Sequence, residues 1–172
     1  MTSVAPQMLL LIAMLAAGAV QAQTLPSPKN IRPAPVQPLP YSHKQHLSNG
    51  LECKDCHEFP GPGDVATLPP TQKCMSCHST IKKDSPTIQQ LADYHKRGEA
   101  VPWKPVYYLP DFVLFNHEVH LNKAKATCEA CHGPVRERDV MRREKDISMA
   151  GCMECHRQTT ASISCDFCHD PR

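Results

Sequence analysis

The strongest constraint on this chain is one pattern, CxxCH, written five times: CKDCH at 53–57, CMSCH at 74–78, CEACH at 128–132, CMECH at 152–156 and CDFCH at 165–169. All ten cysteines fall inside these copies, and five of the ten histidines follow a CxxC pair directly. Any fold for this sequence must satisfy five identical local chemistries at once.

Covalent haem accounts for the spacing. Two thiolates two residues apart match the two vinyl groups of one porphyrin, and the adjacent histidine reaches the iron from the proximal side. The cofactor-binding residues are then Cys53, Cys56, Cys74, Cys77, Cys128, Cys131, Cys152, Cys155, Cys165 and Cys168, and the proximal ligands are His57, His78, His132, His156 and His169. The rivals explain less. Structural zinc takes two CxxC knuckles per metal, which leaves one of five unpaired and gives no reason for the histidine. A redox dithiol expects a single CxxC near a βαβ pattern, which is absent. A disulfide framework would not repeat one spacing five times.

The first 22 residues, MTSVAPQMLLLIAMLAAGAVQA, carry an apolar run at 8–20 and small residues at 20 and 22. The run is shorter than the roughly 20 residues of a bilayer span. It reads as a cleaved secretory signal, with an uncleaved anchor as the alternative, and it places the chain in the periplasm. Removing it leaves 150 residues, about 30 per haem, too few for an ordinary apolar interior. The porphyrins themselves must form the core. The expected fold is mainly α and irregular, with short helices and few or no strands. The formal charge of +2 omits ten propionates, which bring the oxidised holoprotein to about −3 and the reduced one to about −8. Nucleic-acid binding is not implied.

Residues 23–40 follow as an extended, proline-rich arm, with six prolines between 24 and 40. It is read as a solvated spacer, the alternative being a strap docked on a partner or on the haem domain. The domain proper, 41–172, is duplicated. YSHKQHLSNGLECKDCH (41–57) and FNHEVHLNKAKATCEACH (115–132) share aromatic-x-His-x-x-His before CxxCH, and each is followed by a CMxCH copy. The modules span about 41–78 and 115–156, with a fifth haem at 165–169. Between them, Ser85-Pro86 opens a helix and Gly98 ends it. WKPVYYLP is expected to be extended. The run VRERDVMRREKD (135–146) is expected to be helical with a solvated charged face, or else a propionate-pairing or docking patch.

Five histidines remain after the motifs are counted: His43, His46, His95, His117 and His120. His43/His46 and His117/His120 are i, i+3 pairs on one helical face, so each pair can address two neighbouring irons. His95 stands alone, and Met149 or Met141 is the alternative ligand for its haem.

The combination resembles the class III multihaem cytochromes c. VPWKPVYYLPDFVLFNHEVHLNKAKATCEACHG and AGCMECHR are most similar to the pentahaem cytochrome subunit of alternative complex III and related quinol oxidoreductase complexes. The resemblance departs at Tyr107, where relatives often carry His in a Trp-x-x-Val-His segment. It implies that His43 serves the Cys53/Cys56 haem and His117 the Cys128/Cys131 haem. His46 and His120 then serve the haems at Cys74/Cys77 and Cys152/Cys155, which leaves His95 for Cys165/Cys168. It also implies electron transfer through five low-spin haems, with no catalysis by the chain itself. The expected role is a relay subunit of a membrane respiratory complex, with an iron–sulfur, molybdoprotein-like or quinol-oxidising partner. A soluble periplasmic shuttle and a multihaem reductase with one open iron are the alternatives.

Overall fold

The computed structural model describes residues 32–61 and 65–170. The signal segment 1–22 and the start of the arm lie outside the described residues.

Among the described residues there are seven short helices: α1 (His43–Ser48), α2 (Cys53–Cys56), α3 (Thr71–His78), α4 (Pro86–Lys96), α5 (Cys128–His132), α6 (Met149–Gln158) and α7 (Cys165–Cys168). A π-helical turn (Val119–Lys123) and a 3-10 turn (Val135–Glu137) complete the helical elements. Among the described residues, extended pairing is limited to two isolated bridges, Arg32 with Arg143 and Val113 with His169. The architecture is helical and irregular, as the sequence led us to expect.

Local chemistry sets the helix starts. Ser42 accepts from the Gln45 amide at 3.0 Å, Ser85 from Ile88 at 3.2 Å and Ser148 from Gly151 at 3.3 Å. Each is a side-chain cap on an orphan N–H. α4 runs as its signals predict, with Pro86 first and Gly98 beyond its end at φ +68°. α2 starts with a capping box, in which the Glu52 amide donates to Asp55 Oδ2 at 2.7 Å. Every CxxC therefore lies on a single helical turn, where i and i+3 share a face and both sulfurs point the same way.

The polypeptide core is very small. Among the described residues the buried apolar side chains are Leu39, Ile88, Leu91 and Val101, with Cys74, Met75, Tyr94 and Trp103 packed against them. Leu39 belongs to the proline-rich arm and is only 3% exposed. Nearby, the Gln37 amide donates to the Lys104 carbonyl at 2.8 Å and accepts from the Lys104 N–H at 2.9 Å. The described end of the arm is thus a strap docked on the domain, and not the solvated spacer read from composition. The Gln37 side chain thus bridges 32–40 to the main chain of 103–110.

The run 135–146 is not the expected helix. Only Val135–Glu137 turns, and the chain then extends to Arg143. The Arg138 carbonyl, which a helix would give to residue 142, accepts instead from Lys44 N at 3.0 Å. Arg138 grips Glu144 with Nε at 2.6 Å and Nη2 at 2.9 Å, a pairing that i, i+6 spacing would keep apart on a helix. Arg136 pairs with Glu52 at 2.5 Å, and Ser42 donates to Asp139 at 2.6 Å. These contacts tie the second module to α1 and α2 of the first.

Candidate haem centres

The aromatic-x-His-x-x-His elements place four imidazoles opposite four motif histidines. The ring centres of His43 and His57 lie 6.4 Å apart with planes inclined by 9°. His117 and His132 lie 6.5 Å apart at 6°. His46 and His78 are 6.1 Å apart at 66°, and His120 and His156 are 6.1 Å apart at 37°. Two imidazoles on opposite sides of one metal, each nitrogen about 2.0 Å from it, need ring centres about 6.3 Å apart. The four separations match that span, so the residues present fit an iron between each pair.

Second partners orient the rings. Nδ1 of His57 meets the Thr67 carbonyl at 2.9 Å, and Nδ1 of His78 meets that of Ile81 at 2.9 Å. Nδ1 of His156 meets the Ser162 carbonyl at 2.6 Å, and Nδ1 of His169 that of Phe112 at 3.2 Å. On the distal side, His46 and His120 do the same with the carbonyls of Ser42 at 2.8 Å and Asn116 at 2.7 Å. A proton fixed on Nδ1 leaves Nε2 free to bind metal. Burial, then neighbouring imidazoles, pushes His43 and His132 down to about 4, so both stay neutral as ligation requires.

The attachment sites follow one another in space. Burial and then the neighbouring Cys128 push the Cys53 thiol up. Burial and then Cys56 do the same to Cys74. Cys131 is raised by burial and then Cys155, and Cys152 by burial, then Cys131 and Cys168. Adjacent thiols therefore link the motifs in the order 74–78, 53–57, 128–132, 152–156, 165–169.

His95 and His169 fall outside the four pairs. His95 Nδ1 lies 3.3 Å from the hydroxyl of Thr71, at the start of α3, against which α4 packs. His169 sits beside Phe112, with ring centres 5.8 Å apart. Among the described residues no imidazole faces either ring. Met149, the alternative ligand, opens α6 and is exposed.

Several contributors left no mark in the sequence. The carbonyls of Thr67, Ile81, Ser162 and Phe112 belong to the backbone, which carries no residue signature. Tyr107 donates to the His132 carbonyl at 3.0 Å, accepts from the Glu144 amide at 3.2 Å and sets its ring edge on His132 at 4.5 Å.

Comparison with known proteins identifies the family. Residues 19–102 match the class III cytochrome C family, and residues 113–170 match cytochrome c7 and related cytochrome c. The two matches part at the linker between the duplicated modules. The chain is also 31% identical over 160 residues to the multiheme cytochrome c subunit of menaquinone reductase from Nitratidesulfovibrio vulgaris (strain Hildenborough). The alignment covers 77% of this chain and 76% of that protein.

Proposed function

Since the chain belongs to the class III multihaem cytochromes c, we propose that it is the five-haem electron-relay subunit of a quinone-linked membrane respiratory complex, working on the periplasmic side. Each haem, when bound, supplies one reversible electron step between ferric and ferrous iron. The chain's residues hold, orient and shield the porphyrins, and no side chain takes part in bond making on a substrate.

The observation that carries the reading is the set of four facing imidazole pairs at 6.1–6.5 Å. Two histidines per iron leave no exchangeable position at those sites, which suits electron transfer and not substrate turnover. His43 and His57 would hold the haem at Cys53/Cys56, and His46 and His78 the one at Cys74/Cys77. His117 and His132 would hold the haem at Cys128/Cys131, and His120 and His156 the one at Cys152/Cys155. The order of neighbouring thiols supports a single path whose ends are the motifs at 74–78 and 165–169. Those ends are where a donor and an acceptor would meet the protein.

The likeness to a menaquinone reductase subunit supports a quinone-linked partner. Among the described residues no helix is long and apolar enough to cross a membrane, so membrane attachment would come from that partner or from the N-terminal segment. The test is a pull-down of the tagged chain from native membranes, with haem staining and intact-mass measurement. The expected result is five haem additions and co-purification of a membrane redox partner. Recovery of all haem-stained chain alone in the soluble fraction would overturn the relay and favour a shuttle.

A further inference from the structure

The site at His132 is built differently from the other four. Among the described residues, four motif histidines direct Nδ1 at a main-chain carbonyl. His132 does not. Its ring is instead flanked by the edge of Tyr107, 4.5 Å away at 76°. The Tyr107 hydroxyl reaches past the ring to the His132 carbonyl at 3.0 Å and accepts the Glu144 N–H at 3.2 Å. Glu144 is itself held by Arg138, at 2.6 and 2.9 Å, and by Arg142 at 3.1 Å. The tyrosine is therefore fixed at its hydroxyl by two hydrogen bonds, with its ring packed against the imidazole that would otherwise turn about its own axis.

That rotation has a consequence for the site. His132 and His117 are parallel to within 6°. On the opposite ligand, His117 is bracketed by the edge of Phe115 at 4.7 Å and by Phe59 at 5.5 Å. We propose that Tyr107 is a positioning residue: it fixes the azimuth of the His132 imidazole and keeps it parallel to His117, replacing the Nδ1–carbonyl bond that sets the other four. The proposal rests on the haem reading above.

Ligand-plane angle is directly observable. Parallel axial imidazoles split the iron dπ orbitals and give a rhombic low-spin paramagnetic-resonance spectrum. Crossed imidazoles leave those orbitals nearly degenerate and give one feature at large g. Two sites are near parallel, at 9° and 6°, and two are turned, at 66° and 37°. The oxidised wild type is first shown by intact mass to carry five haems. A lower number there sinks the haem reading itself, separately from Tyr107.

Tyr107→Leu, which removes both ring and hydroxyl, is expected to cut the rhombic intensity to about half, because one of two parallel sites is released. Tyr107→Phe keeps the edge and loses both hydrogen bonds, and is expected to broaden that same half of the signal. A tyrosine that only stabilised the fold would lower the melting temperature and leave the spectrum alone. An unchanged rhombic signal in Tyr107→Leu at five haems per chain overturns the proposal. Should that variant mature with fewer haems, Tyr107→Phe decides, and a spectrum identical to wild type overturns it.

Discussion

Tyr41 lies flat on His46, with ring centres 4.4 Å apart and planes inclined by 19°. In the second module Phe115 repeats the relation with His120, at 4.6 Å and 26°. Each aromatic also turns its edge or face to the first histidine of the pair, Tyr41 to His43 at 4.9 Å and Phe115 to His117 at 4.7 Å. One ring therefore orients both histidines of each pair. The hydroxyl is dispensable to that task, because Phe115 performs it without one. Burial, then Cys56 and Cys74, pushes Tyr41 up to about 12, so it stays neutral at any working pH. Tyr41→Phe is expected to leave the haem spectra unchanged. Phe115→Ala is expected to cost at least the ~0.5–1.5 kcal/mol of an aromatic pair and to perturb two low-spin signals together. Thermal unfolding and paramagnetic resonance read the two effects separately.

Removing one distal ligand isolates one site. His43 and His117 each face a motif histidine across the span of a single iron. His43→Ala and His117→Ala are each expected to convert one of five haems from low to high spin. The double variant is expected to convert two. Spectra unchanged in both single variants would remove these histidines from the ligand set.

The links legible in the sequence are the local ones. CxxCH fixes sulfur and ligand within five residues, Ser85-Pro86 and Gly98 bracket α4, and the i, i+3 histidines pair on one turn. The illegible part is long-range. Residues 135–146 have the composition of a charged helix, yet Arg138 finds better partners in Lys44 N and Glu144 than a helix would offer. Nothing in the arm announces that Gln37 will bridge to Lys104, 67 positions away. Tyr107 is visible as an aromatic in a proline-rich stretch, but its contact with His132 depends on how the linker folds back on the second module.

The clamp at Glu144 carries a pH signature. Its hydrogen bond to Arg138, then that to Arg142, hold the carboxyl down at about 2, against an ordinary value of 4.5. A depressed acid stabilises the fold above its unfolded value and loses that contribution as pH falls through its folded value. Glu144→Gln is therefore expected to melt below wild type at pH 7. The gap is expected to narrow from about pH 4.5 downward and to close near pH 2. A gap that stayed constant over that range, measured by thermal unfolding, would show that the carboxylate charge contributes nothing.

Gly151 marks a close approach that side chains cannot share. It sits in the first turn of α6, and a Cβ there would collide with the Asp146 carbonyl oxygen. The obstacle is backbone, so relief requires the chain to move. Gly151→Ala is expected to destabilise by about 1–3 kcal/mol, as overpacking does, and to displace the turn carrying Cys152. Incomplete attachment at the fourth motif, seen as a shortfall of one haem by intact mass, is the accompanying readout.

The ligand opposite His169 is the least determined part of the candidate site. Counting histidines assigns His95 to His169, since both are left after the four pairs. The structure sets His95 against α3, with Nδ1 3.3 Å from the Thr71 hydroxyl. The motif at 165–169 is instead joined to residues 113–114, through the isolated bridge to Val113 and the bond from Leu114 N to the Cys168 carbonyl at 2.8 Å. By the order of neighbouring thiols, α3 and α7 are opposite ends of the path. With His95 placed beside α3 and no imidazole facing His169 among the described residues, the reduced wild-type protein is expected to bind about one equivalent of carbon monoxide at the iron of His169, because open ferrous haem takes that ligand and bis-histidine haem does not. His95→Ala is expected to leave this uptake unchanged. If wild type ignores carbon monoxide and His95→Ala binds it, His95 reaches the fifth iron and the histidine count was the better guide. If neither binds it, the sixth position is filled by another side chain, and Met149→Ala is the variant that then opens the site.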